Sequence, residues 1–386
     1  MSKKSTLAKR KNTLTTCLAV VLVGITASGC VGIGKSKDAA LLHARIEQSG
    51  VVQCFTGDLT QENGKPATCE LSAVAYVDGK LLFANDKPIP GAGHSPVFSM
   101  GFPGNRLSVN ESPDYLTAKP FVDATKYEAM TVTNDGWVIA STAFDRYSKD
   151  KPADDRYNTL LYWQASNPEH VRVVGEDSGK ANASSIEIRA KILQALNLPE
   201  GQEYFKVEGI AVLPGNKLLF GIRENGKSYK DFKYAIKLVE ADYSMTDNRL
   251  ILNNQFKLVY DFTPPQELGL HHDLGLSSIE YDTTAQRLYM LTSFEEGEKP
   301  EDIGAYLWIL PLAGLQENKP ATLITDQYSK PFSFSHKAEG LAILDSTHIF
   351  VITDDDRVIK TVNESDDDQQ RVRKLSEAAY NIVEIK

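Results

Sequence analysis

Three copies of a Lys-x-Glu pattern are the clearest candidates for chemistry in this sequence. They are Lys126-Tyr127-Glu128, Lys206-Val207-Glu208 and Lys337-Ala338-Glu339. Because residues i and i+2 of a β-strand point to the same side, each copy presents a cation and a carboxylate together. Lysines can receive an anionic group, and glutamates can bind a cation or act as a general base. The pattern therefore predicts a polar site assembled from three separate strands.

Further charged residues end the strands that follow these motifs. Arg223 is the strongest candidate to clamp an anion, because its planar guanidinium matches a carboxylate or a phosphate. Asp86, Glu224 and the triplet Asp354-Asp355-Asp356 occupy comparable places. Asp355 and Asp356 are equally well interpreted as solvated turn residues. We predict ligand-binding roles for Lys126, Glu128, Lys206, Arg223, Lys337 and Asp354, and catalytic roles for Glu208, Glu339 and His336.

His336 is included because it stands three residues before Glu339, and imidazole titrates near neutral pH. His94, His271 and His272 occur in similar polar segments and are weaker candidates. An oxygen-rich site of this kind would suit Ca²⁺ rather than Zn²⁺. The sequence has no D-x-[DN]-x-[DN]-G calcium loop, Gly-x-Ser-x-Gly elbow, Walker loop, dinucleotide fingerprint or His-Glu-x-x-His motif. The alternative is that the charges neutralise one another and fill a wet channel.

The elements that must position these residues form a repeat. Each copy is a short strand that begins with a small or acidic residue, a turn, and a second strand rich in Leu, Val, Ile and Phe. The copies begin at Ser72, Glu128, Glu208, Ser277 and Glu339, so the spacings are 56, 80, 69 and 62 residues. Each spacing is long enough for four antiparallel strands, whereas a β-sandwich would not predict repeats of this length.

The repeat therefore predicts an all-β fold, a β-propeller of five to six four-stranded blades. A sixth blade would be assembled from weak segments near the termini, and strand-like residues 51–55 and 380–385 could pair to close the ring. One inserted helix is predicted over residues 184–198, with a Ser184/Glu187 capping box and an apolar stripe of Ile188, Ile192 and Leu196. We expect it to lie on one face of the ring.

Residues 207–224 and 338–356, with their Glu-Gly-(Ile/Leu)-Ala strand starts and polar strand ends, resemble the phytase-like (esterase-like phytase) β-propeller family. The resemblance covers most of residues 65–360. It implies a periplasmic or secreted propeller with a polar central site that hydrolyses phosphoester or ester compounds. A non-catalytic propeller that binds an envelope protein or cell-wall polymer is the alternative, because a fold does not fix a function.

The first thirty residues have the layout of an export signal: five cations, an apolar run at residues 18–25, and Ala27-Ser28-Gly29-Cys30. The apolar run is too short to span a bilayer stably. The last four residues resemble the lipobox of bacterial lipoproteins, which predicts a signal peptide over residues 1–29, a lipidated tether over residues 30–43 anchored to the bilayer through acyl chains on Cys30, and the propeller over residues 44–386. Val31 favours the outer membrane. An ordinary secretory signal cut near Gly29 is the alternative.

Without residues 1–29 the chain holds 37 Lys and Arg against 51 acids, a net charge of about −14. Nucleic acid is therefore an unsuitable partner, because phosphate binding requires a basic surface. A small anionic ligand would need the converging lysines or Ca²⁺. Cys54 and Cys69 are the cysteines left after Cys17 and Cys30 are assigned to the signal and the lipid. In an oxidising compartment they predict a disulfide, and two thiols alone make a poor metal site.

Overall fold

A computed structural model describes residues 42–386, except residues 108–111, 147–151, 176–184, 271–272, 298, 356–357, 359 and 364–369. The predicted signal peptide, Cys30, Ser184, His271, His272 and Asp356 lie outside the described residues. Within them, no helix is long and apolar enough to cross a bilayer.

The described chain forms six antiparallel sheets, of which the five larger ones are the blades of a β-propeller and the sixth is a two-stranded hairpin. The chain enters the fold through β1 (Ala44–Gln53). Blade one follows with β2 (Leu71–Val77), β3 (Lys80–Asn85), β4 (Val97–Gly101) and β5 (Asp114–Tyr115). Blade two contains β6 (Tyr127–Val132), β7 (Trp137–Thr142), β8 (Leu160–Gln164) and β9 (Asn167–Val173).

The third blade has the longest strands, which are β10 (Tyr204–Leu213), β11 (Lys217–Ser228), β12 (Asp231–Thr246) and β13 (Arg249–Asp261). Blade four contains β14 (Gly275–Asp282), β15 (Arg287–Glu295), β16 (Ile303–Pro311), β17 (Thr322–Leu323) and β18 (Ser333–Phe334); β17 and β18 both pair with β16. Blade five begins with β19 (Ala338–Ile343) and β20 (His348–Thr353). A hairpin of β21 (Thr361–Asn363) and β22 (Gln370–Val372) precedes β23 (Glu377–Ile385).

The two ends of the chain complete blade five, whose strand order is β19-β20-β23-β1. Val51 pairs with Ala379 and Gly50 with Tyr380, so the terminal segments close the ring as predicted. The described chain has five blades, and its terminal segments form no sixth blade. The Cys54–Cys69 disulfide is present and joins the end of β1 to the chain just before β2, with Cα atoms 5.7 Å apart.

The inserted helix, α2, runs from Ile186 to Leu196, while α1 (Lys119–Asp123) and α3 (Leu312–Gln316) are single turns. Its apolar stripe is buried in the layer between blades two and three. The helix packs mainly against β13, the outermost strand of blade three, and its position on a face of the ring stays a prediction. The capping box is wrong: Ser185 is the N-cap, and its hydroxyl donates to Val174 O and accepts from Leu160 N.

The core lies between the blades, where neighbouring sheets press their side chains together. Trp163 and Trp308 are fully buried. Trp308 meets Phe262 at the end of blade three edge to face, with ring centroids 5.4 Å apart. Such contacts hold adjacent blades in register, and they fix the inner strands β2, β6, β10, β14 and β19 around the central channel.

Candidate functional site

The inner strand of every blade carries a β-bulge at the same place. The pairing register between first and second strand shifts in each blade at Ser72, Glu128, Glu208, Ser277 or Glu339. These are the five residues at which the sequence repeats begin. Blade three has a second shift, where Arg223 of β11 is left without a partner in the register. A bulge re-aims the side chain of its extra residue. All five side chains are buried, and all carry oxygen.

The small residue after each bulge lets neighbouring inner strands approach closely. A Cβ built on Gly209 would lie 3.1 Å from the backbone N of Ile279 in blade four. One built on Gly340 would lie 3.2 Å from the backbone N of Val74 in blade one. The repeated Glu-Gly pair therefore has two separable causes: the glutamate is aimed by the bulge, and the glycine makes room for the next blade.

The three glutamates of the bulges meet near the propeller axis. One carboxylate oxygen from each of Glu128, Glu208 and Glu339 lies within 4.8 Å of the other two. Lys206 Nζ lies 3.0 Å from Glu128 Oε1 and also donates a hydrogen bond to Glu208. Lys337 Nζ lies 3.0 Å from Glu339 Oε1. We call these residues, together with Lys126 and Arg223, the axial cluster.

Arg223 is held from three sides. Its Nη1 donates to Ser293 Oγ at 2.7 Å, and its Nε lies 3.6 Å from Glu208 Oε1. Its guanidinium carbon lies 5.1 Å from the centre of the Tyr234 ring, at a cation–π distance. Lys126 is anchored away from the axis, because its Nζ lies 2.7 Å from Asp145 Oδ2 and 4.0 Å from Glu128.

The axial cluster surrounds a polar cavity of about 210 Å³ at the mouth where the inner strands begin. Of the predicted site residues, the structure brings to its wall Lys126, Glu128, Lys206, Arg223, Lys337, Glu339 and Asp354. Glu208 contacts this group from a buried position. Ser72, Tyr234 and Glu295 also line the cavity and were missed. The repeat could have indicated Ser72, since it occupies the position of the glutamates in blade one.

His336 is not brought to the cavity. Its Nδ1 lies 2.6 Å from Asp355 Oδ2, and Asp355 Oδ1 accepts a hydrogen bond from the Lys337 amide at 3.0 Å. Neither side chain lines the cavity. The pair fixes the backbone just before Glu339. His94 lies elsewhere in blade one, against the Tyr115 ring at 4.7 Å.

Burial and the neighbouring cations give the three carboxyl groups different pKa values. Desolvation raises the pKa of Glu128 well above its usual range, although Lys206 opposes the shift. Burial acts in the same direction on Glu208, but Lys206 and Arg223 outweigh it and hold its pKa below the usual value. Desolvation raises the pKa of Glu339 to about 7 against the pull of Lys337. Lys206 contacts the carboxyl groups of both Glu128 and Glu208, and their opposite pKa shifts make Glu208 the more acidic of the two.

The donor set fits a hard cation. Glu128 Oε1 and Glu339 Oε1 are buried and make no hydrogen bond within the described residues, although a lysine nitrogen lies near each. Six carboxylic acids and four cations line the cavity, so negative charge is in excess. Carboxylate and hydroxyl oxygens from the inner strands around the propeller axis suit Ca²⁺, which accepts six to eight oxygen ligands. Glu128, Glu208 and Glu339 would hold the ion.

The strand pairing makes the protein a five-bladed β-propeller with a charged axial pocket. No protein-family model and no curated protein match the chain. Solved structures that match include a luciferin-regenerating enzyme, at 10% identity over 84% of this chain and 95% of that chain, with a TM-score of 0.36. A GH62 α-L-arabinofuranosidase catalytic domain from Coprinopsis cinerea matches at 10% identity over 87% and 96%, with a TM-score of 0.42.

A member of the DUF4221 family from Bacteroides vulgatus also matches, at 7% identity over 90% of this chain and 99% of that chain, with a TM-score of 0.37. The propeller fold of the present chain rests on its own strand pairing. No activity is taken from these structures.

Proposed function

We propose that the axial cluster binds a divalent cation, best fitted by Ca²⁺, and uses it to hydrolyse a small phosphoester or ester. The observation that carries this proposal is the meeting of three buried carboxylates within 4.8 Å, two of them with an oxygen that lacks a hydrogen bond. The cavity of about 210 Å³ has room for the ion and a small anionic group, and it is smaller than most pockets for drug-sized ligands.

The cationic and acidic residues of the cavity would have different roles in hydrolysis. A bound Ca²⁺ would polarise a phosphoryl or carbonyl oxygen. Arg223 and Lys337 supply positive charge for the anionic oxygens of the substrate. Glu339 is the candidate general base, because a pKa of about 7 lets it take a proton from water at neutral pH. Glu128 and Glu208 would share the cation with Glu339.

Calcium binding should stabilise the wild-type protein and should do so far less in Glu208→Gln and Glu339→Gln. A ligand that binds only the folded state at 100 times its Kd adds about 2.7 kcal/mol. Thermal unfolding with Ca²⁺ and with EDTA measures the difference, and exposed Glu267→Gln is the control. In EDTA, Glu339→Gln should stay about as stable as wild type, because it relieves repulsion with Glu208. Glu208→Gln should lose stability in EDTA, because its carboxylate pairs with Lys206 and Arg223.

The same samples should be screened for phosphatase and esterase turnover. Calcium-dependent turnover that falls by at least 100-fold in Glu339→Gln supports hydrolysis. If calcium stabilises the protein but no substrate turns over, the site is a structural or binding site. If calcium changes neither stability nor turnover, the cation site itself is refuted.

A second function is favoured by one contact, the hydrogen bond that Lys206 donates to Glu208. The ammonium group stands where a cation would bind, so Lys206 already supplies positive charge between the carboxyl groups and the axial cluster would simply fill the channel without metal. The propeller would then be a non-catalytic platform for an envelope protein or a cell-wall polymer. In that case removing Glu208 leaves Lys206 short of a partner and lowers stability by about 1–3 kcal/mol, with no response to calcium.

We also propose that the protein is anchored by lipid on Cys30, with the outer membrane favoured. Replacing Cys30 with Ala should release the protein from the membrane fraction or leave an uncleaved precursor. The variant loses the residue that would carry the acyl chains, and stable anchoring needs more than one such chain. Fractionation of cells that express each form, followed by mass measurement of the N-terminal peptide, tests this. A signal-cleaved Cys30→Ala protein that stays wholly in the membrane contradicts the proposal.

A further inference from the structure

The channel has a second mouth, where the turns after the inner strands surround an open cavity of about 750 Å³. All five blades contribute to it, and we call it the hairpin mouth. Its wall combines aromatic and apolar side chains with carboxyl groups, including Tyr76, Leu213, Tyr243, Met245, Glu280 and Tyr281. In the part of the chain that the structure describes, no lysine, arginine or histidine lines it. The volume is that of a pocket for a small organic molecule.

Glu280 stands alone at its level of the channel. It follows the bulged Ser277 by three residues, and the residues at the same offset in the other blades are Ala75, Thr131, Ala211 and Ala342. Thr131 Oγ1 donates to Glu280 Oε1 at 3.1 Å, which joins blade two to blade four across the axis. A carboxyl group is thus placed among methyl groups, and burial raises the pKa of Glu280 to about 8.

The other carboxylates of the hairpin mouth are already used by their own turns. Asp282 accepts from the backbone N of Thr284 and Ala285, and Asp345 accepts from Thr347. Asp135 likewise accepts from a threonine two residues earlier. Glu280 has no such turn to stabilise. The side chain of Tyr281 next to it is 5% exposed, and its hydroxyl makes no hydrogen bond within the described residues.

We propose that the hairpin mouth binds a small organic cation, with a protonated amine on Glu280 and an apolar body against Leu213, Tyr243 and Met245. An ammonium group supplies the positive charge that the wall lacks and can donate a hydrogen bond to Glu280, and the Tyr281 hydroxyl, unpaired within the described residues, offers a further polar group at the wall. Aromatic faces at the wall favour a cation further. An anionic or neutral ligand has no counterpart for the Glu280 carboxyl. This site is separate from the axial cluster and does not depend on the function proposed there.

The test uses phenethylamine and its uncharged analogue 2-phenylethanol as probes in isothermal titration at pH 8.5. Wild type should bind the amine saturably and the alcohol at least tenfold more weakly. Glu280→Gln should lose at least tenfold in affinity for the amine. Glu280→Ala is the second variant, because alanine is the residue of three other blades at this position, so the fold should accept it. Glu267→Gln is the exposed control.

Equal binding of amine and alcohol would overturn the proposal, as would unchanged amine binding in both Glu280 variants or no binding of the amine by wild type. A negative result in the calcium experiments at Glu208 and Glu339 would not affect this test. The amine titration uses no calcium, and its variants lie outside the axial cluster.

Discussion

Replacing Lys206 with Met is expected to lower the free energy of unfolding by about 3–5 kcal/mol in EDTA, because removal of one partner leaves a buried charge uncompensated. Lys206 is the cation nearest to both Glu128 and Glu208, and its raised pKa reflects those carboxylates after burial has opposed them. Calcium should restore most of the loss, since Lys206→Met vacates the space between the two carboxylates. Urea unfolding of wild type and variant, with Ca²⁺ and with EDTA, measures both effects.

Lys217→Met is the matched control. Lys217 also contacts two carboxylates, Glu240 and Asp242, but it lies at the surface with 38% of its side chain exposed. Surface ion pairs contribute little, so this variant should lose no more than about 1 kcal/mol and should not respond to calcium. A Lys206→Met protein that is destabilised yet indifferent to calcium would favour the interpretation that the cluster only fills the channel. A loss no larger than that of Lys217→Met would contradict the ion-pair account.

The metal-free protein is expected to lose stability as pH rises from about 4.5 to about 8. Burial raises the pKa of Glu339 to about 7 and that of Glu280 to about 8, so the folded state binds these protons more tightly than the unfolded chain does. Their contribution is complete below the unfolded pKa and is lost as pH rises through the folded pKa. Each group contributes on the order of 3–5 kcal/mol at most.

Other groups near these carboxyls set the limits of the effect. Glu339 faces Lys337, Arg223 and Lys206, and Glu208 adds like charge. Glu208 has the opposite sign, because its lowered pKa gives stability that disappears on acidification. The stability maximum of the metal-free protein should therefore lie on the acid side of neutrality.

Melting temperatures in EDTA between pH 5 and 8.5 test this dependence. Glu280→Gln and Glu339→Gln should each flatten the decline, and Glu267→Gln should not. A wild-type profile that is level or rising over that range would contradict the expectation. So would a decline of equal slope in all variants, because it would place the titrating groups elsewhere.

The residues that begin the repeats were predictable because alternation and turn signals are local. Ser72, Glu128 and Glu208 begin repeats at spacings that four-stranded units require, and the structure gives each of them the bulge. What a strand pattern lacks is the identity of its neighbours. Residues 51–55 and 380–385 could be expected to pair and close the ring, but whether further segments near the termini add a sixth blade is decided only by long-range pairing.

Distance along the chain was equally uninformative at the site. His336 is close to Glu339 in sequence, yet β19 begins between them. The imidazole of His336 contacts Asp355 instead of the cavity. Glu280 shows the opposite case. It sits in an ordinary strand pattern, Ser-Ser-Ile-Glu-Tyr, and becomes unusual only because Thr131 of a non-adjacent blade reaches it across the axis. The role of Glu280 can be predicted only when the arrangement of the blades around the axis is known.

The position of β1 also determines how the fold carries mechanical load. A pull on the chain before His43 enters at Ala44, the free end of the outermost strand of blade five, and would separate its pairs with β23 one after another. Peeling stops at Cys54, where the disulfide passes the tension to Cys69 and so to the start of β2. The loop between the two cysteines carries no load. Force applied from the N-terminal side thus detaches one strand, and it reaches the inner strands through the disulfide.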